Sequence, residues 1–62
     1  MDIATARKRY HGPSARWAIA TIQEALDRGQ TVIICGDKRV KLLKLFVRLL
    51  EVDIHVEDTS KG

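Results

Sequence analysis

Five consecutive residues, Thr31-Val32-Ile33-Ile34-Cys35, constrain this chain more than any other segment. Thr31, Val32, Ile33 and Ile34 are β-branched, and branching at Cβ stiffens χ1 and favours the pleated backbone. The run does not alternate with polar residues. Such a strand is expected to be covered on both faces, as in a parallel sheet between helices. Gly36-Asp37 follows as a short βα turn, with Asp37 suited to cap the next helix.

The flanking segments complete a repeating pattern of helix and strand. Gly12-Pro13-Ser14 punctuates the chain. Proline suits the first position of a helix and serine an N-cap, so a helix is expected to begin at about 13–15. Its apolar stripe is Ala15, Ala18, Ile19, Ile22, Ala25 and Leu26, and Gly29 ends it. Trp17 lies off the stripe, near Thr21, Glu24 and Arg28, where it either covers the N-terminal arm or meets a partner. A second helix is expected to run to about Glu51. Lys41, Lys44, Arg48 and Glu51 form one polar stripe on it, and apolar residues fill the rest, more than one sheet-packing face needs. Leu42, Leu45, Phe46 and Leu49, with Trp17, are therefore expected at a partner interface. Asp53-Ile54-His55-Val56-Glu57 alternates as a half-buried or edge strand, with His55 toward solvent or an interface.

These elements predict an α/β fold: a minimal helix–strand–helix–strand unit whose right-handed crossover sets two strands in parallel. The boundaries are a basic N-terminal arm at 1–12, either a short helix or a mobile segment, one α/β domain at 13–57, and a polar tail at 58–62. A chain of 62 residues buries only about 60% of its unfolded surface, and two strands make a poor sheet alone. A homodimer that completes the sheet is expected.

The chain holds one cysteine, so it forms no internal disulfide. Cys35 is expected to act as a small buried hydrophobe. His11 and His55 stand in no nucleophile or metal-ligand spacing with it, so no catalytic residue, metal or cofactor is expected. The opening residues lack the apolar core of a signal peptide and no apolar run is long enough to span a bilayer, so a cytoplasmic protein is expected. The net charge of +3 is unevenly placed, with a basic start, a basic middle and an acidic end. Arg7, Lys8 and Arg9, with Arg16, could neutralise phosphates, and Tyr10 could stack on a base, which makes DNA or RNA a candidate partner. The cationic stretch Lys38–Leu50 would suit a membrane surface in isolation. Its flanking strands favour a crossover helix instead.

The order of loop, helix, strand and helix over roughly residues 7–57 resembles a truncated, degenerate core segment of the P-loop NTPases, of the phage terminase and helicase type. In that resemblance Gly12 falls at the second glycine of the phosphate loop and Ser14 at the hydroxyl that holds magnesium. Arg7 replaces the first glycine, and Pro13 replaces the phosphate-binding lysine and removes an N–H. The resemblance implies a scaffold and no activity. The expected function is a small non-catalytic binding module, of the phage or accessory type, that acts by protein association with itself or a host protein; the alternative is nucleic-acid binding through the basic arm.

Overall fold

The computed structural model describes residues 1–59. The element order is α1 (Ile3–Arg9), α2 (Pro13–Asp27), β1 (Val32–Cys35), α3 (Val40–Leu50) and β2 (His55–Asp58). The two strands form a parallel sheet in the register Val32↔His55, Ile33↔Val56, Ile34↔Glu57 and Cys35↔Asp58. The mixed α/β class and the two-stranded parallel sheet follow the expectation from sequence. Of the expected polar tail, Asp58 belongs to β2, and 60–62 lie outside the described residues.

Local chemistry sets the ends of the elements. Asp2 caps α1, its carboxylate accepting from the Thr5 amide at 2.7 Å. Gly12 precedes α2, with Pro13 at its first position. Ser14 is therefore not the cap: it already lies inside the helix, where Pro13 has fixed φ for the first turn. At the other end Gly29 adopts φ 69°, and Gln30 N–H donates to Ala25 C=O at 2.8 Å. This closes the helix as a left-handed glycine does. The same closure ends α3, with Val52 N–H on Val47 C=O at 3.3 Å, but there Glu51 carries the left-handed φ of 55°.

The core consists of Ala18, Ile19, Ile22 and Ala25 from α2, Val40, Leu43, Phe46 and Leu50 from α3, Ile54 and Val56 around β2, and Ala6 from α1. Three expectations change here. First, the N-terminal segment is a docked helix: Ala6 is fully buried, and the Tyr10 ring meets Phe46 edge-on at 5.3 Å. Second, the apolar surplus of α3 is largely consumed within the chain, because α1 and α2 cover what the sheet does not. Phe46 is only 3% exposed and belongs to the core, while Leu42 and Leu49 are half-buried and Leu45 stays 59% exposed. Third, β1 is covered on one face only. Ile33 and Cys35 turn inward, whereas Val32 and Ile34 are 47% and 70% exposed. The chain supplies helices to a single side of the sheet, and a purely apolar run does not reveal how many layers its neighbours will form.

Candidate functional site

Three surface features gather the chemistry of this chain. One lies at the α1–α2 junction. Arg7 in the last turn of α1, His11 in the connection, and Arg16 and Ala20 on α2 line a cleft of about 490 Å³. The turn at Gly12 folds the two helices against each other, which brings Arg7 and Arg16 to one cleft although nine positions separate them. The side chains of Arg7, His11 and Arg16 make no hydrogen bond or ion pair among the described residues. No acidic residue occupies the first turn of α2. Of the residues expected to bind nucleic acid, this cleft unites Arg7 and Arg16. Lys8 and Arg9 are exposed outside its lining. Tyr10 is half-buried against Phe46, so its ring is engaged in the core and not free for base stacking. His11 immediately precedes the Gly12–Ser14 segment that the resemblance sets at the phosphate loop, and the fold of the turn brings it beside Arg7 and Arg16.

A second cluster sits where β1 hands over to α3. Asp37 Oδ1 accepts from the Arg39 backbone N–H at 2.8 Å, and its Oδ2 accepts from Arg39 Nη2 at 2.9 Å. Asp37 thus orders the turn before α3 but is not its N-cap: the helix opens at Val40, Arg39 holds the cap position and no side chain caps it. Hydrogen bonding from the Arg39 side chain, and then from its backbone N–H, holds the Asp37 carboxyl down at about 2. Arg39 in turn lies over the Trp17 ring, 4.2 Å from its centroid. The off-stripe tryptophan is half-buried against the core, and a guanidinium from another element stacks on its face. Cys35 is half-buried, with its Sγ 3.4 Å from Asp37 Oδ1, rather than fully enclosed.

The Asp37 geometry carries a pH prediction. Its folded-state pKa of about 2 lies below the ordinary value of 3.8. The ionised form therefore favours the folded turn above pH 3.8, and that contribution is lost as pH falls toward about 2. The Asp37 side-chain carbonyl resonance is expected to titrate near the lower value. In Arg39→Gln the midpoint should return toward 3.8; an unchanged midpoint in that variant would contradict the assigned cause.

The third feature is the sheet itself. On its uncovered face Val32 and Ile34 lie beside His55 and Glu57, which pair at 2.7 Å. Along β1, a groove of about 290 Å³ runs between the strand and α2, lined by Thr21, Glu24, Ala25, Arg28, Gln30 and Val32–Ile34. No residue of β2 lines it, so it follows the free edge of β1. The backbone direction at that edge is fixed by the ladder. His55 N–H donates to Thr31 C=O at 2.8 Å and Thr59 N–H to Cys35 C=O at 3.1 Å. The odd-numbered residues of β1 thus face β2. The N–H and C=O groups of Val32 and Ile34 point the other way, into the groove.

Among the described residues no polar or charged residue is buried, and no group of three His, Cys, Asp or Glu is placed to hold a metal. No helix is long and apolar enough to cross a membrane. No protein-family model, no curated protein and no solved structure matches this chain.

Proposed function

We propose that this chain is a non-catalytic binding module that acts as a homodimer, joined through the free edge of β1. The observation that carries the reading is the character of that edge. Edge strands are ordinarily protected by charge, proline or a bulge. β2 carries His55, Glu57 and Asp58, whereas β1 reads Val-Ile-Ile-Cys and carries no charge. A two-stranded sheet of this size gains most from more strands.

A second copy is the occupant that fits. Two β1 strands meeting antiparallel about a two-fold axis at Ile33 place Val32 opposite Ile34 of the other copy. These are the residues whose backbone groups face outward, so each pair exchanges both hydrogen bonds. The same axis sets the two α2 helices antiparallel. Glu24 and Arg28 stand one turn apart on the groove rim, and neither is ion-paired among the described residues. Opposite charges at that spacing are complementary to their own two-fold image. The product is a four-stranded sheet, β2-β1-β1-β2, with all helices on one side. The single unpaired thiol of Cys35 fits a reducing, cytoplasmic setting.

Sedimentation equilibrium tests the dimer: the expected mass is twice 7.0 kDa. Ile34→Pro removes one outward N–H and leaves the β2 ladder untouched, so it should yield a folded monomer. A native chain that stays monomeric at about 0.5 mM would overturn the assembly. A variant that still dimerises would overturn its placement at this edge.

A further inference from the structure

We infer that the α1–α2 cleft is a binding site for the phosphodiester backbone of nucleic acid, read without regard to base sequence. This site is separate from the β1 edge and does not depend on dimerisation. Three observations support it. Two guanidinium groups and an imidazole converge on a cleft of about 490 Å³. These side chains have no partner within the chain among the described residues, so their donors are available to an outside acceptor. Arginine presents a planar fork that matches phosphate oxygens two at a time.

The ligand class follows from what the cleft has and lacks. Its volume of about 490 Å³ exceeds what one phosphate fills, and it opens to solvent, so a chain of phosphates fits better than a single ion. Among the described residues no aromatic ring lines it, since Tyr10 is held against Phe46. Base stacking is therefore no part of the contact. Backbone contact positions a nucleic acid but carries no sequence information. Lys8 and Arg9 lie outside the cleft and add only to the surrounding field.

The test uses the full chain and fluorescein-labelled oligonucleotides of mixed sequence, as single-stranded RNA, single-stranded DNA and duplex DNA. Anisotropy titrations should show binding that weakens with salt. Two neutralised phosphates, one per guanidinium, predict a slope of log affinity on log salt of about −1.4 for single strands. The double variant R7Q/R16Q should lose about tenfold or more, while K8Q/R9Q, which removes the same charge, should lose less than about threefold. In the native chain, the Nε–H resonances of Arg7 and Arg16 should shift on titration, a readout that needs no variant to fold. Equal losses in the two double variants would overturn the site in favour of diffuse charge. Absence of binding to all three nucleic acids would overturn it outright. Binding of poly-glutamate as tight as that of the oligonucleotides would reassign the cleft to an acidic protein partner.

Discussion

Phe46→Ala will remove about 3–5 kcal/mol of folding stability, the range for truncating a buried phenylalanine. A domain of 62 residues holds in total roughly 3–9 kcal/mol. The variant should therefore lose about a third or more of its stability, read as a steep fall in the urea midpoint. The size of the effect comes from where the ring sits. It is 3% exposed, and it meets Tyr10 edge-on. Its loss thus hollows the core and detaches α1 together. A cycle with Tyr10→Leu, read by urea denaturation at fixed protein concentration, should show coupling of about 1 kcal/mol between the two rings. Loss of dimerisation with unchanged monomer stability would instead make Phe46 the interface residue that its sequence position suggested.

The second large effect separates two neighbours on α3. Leu43 is 1% exposed and ranks among the largest fully buried side chains. Leu43→Ala should cost about 3 kcal/mol through lost transfer energy and the cavity left behind. Leu45, two residues on, is 59% exposed, and Leu45→Ala should change stability by less than about 0.5 kcal/mol. Thermal and urea unfolding of the pair are decisive, because both variants delete the same atoms from the same helix. Similar losses would mean that Leu45 is covered in solution, and the dimer interface would then have to include α3.

The contrast between these residues shows what the sequence carried and what it did not. Local chemistry was readable. Pro13 and Gly29 mark the ends of α2, Asp37 orders the turn into α3, and all of the run at 31–35 but Thr31 is a strand. The alternation at 53–57 correctly placed Val56 inward and His55 outward. What could not be read required knowing which elements meet. The periodicity of α3 left Leu45 and Phe46 equivalent, since both fall within one broad apolar arc; only the docking of α1 and α2 decides that Phe46 is enclosed. The apolar run of β1 suggested cover on two faces, because composition reports burial without reporting how many layers exist. The candidate site was half legible. Arg7 and Arg16 stood out by charge, but His11 joins them only through the turn at Gly12, and Tyr10 leaves them only through its contact with Phe46.

Helix α2 has a division of labour along its length. Its first half gives Arg16 and Ala20 to the cleft, and its last turns give Thr21, Glu24 and Ala25, with the C-cap Arg28, to the groove beside β1. One rigid rod thus joins the surface that would hold a polyanion to the surface that would hold a second copy. In a two-fold assembly the clefts become a fixed pair, and a strand seated in one is presented to the other at high effective concentration. A contact too weak to matter in a single copy then gains avidity from geometry alone. The length of nucleic acid that first shows this gain would measure the distance between the two clefts.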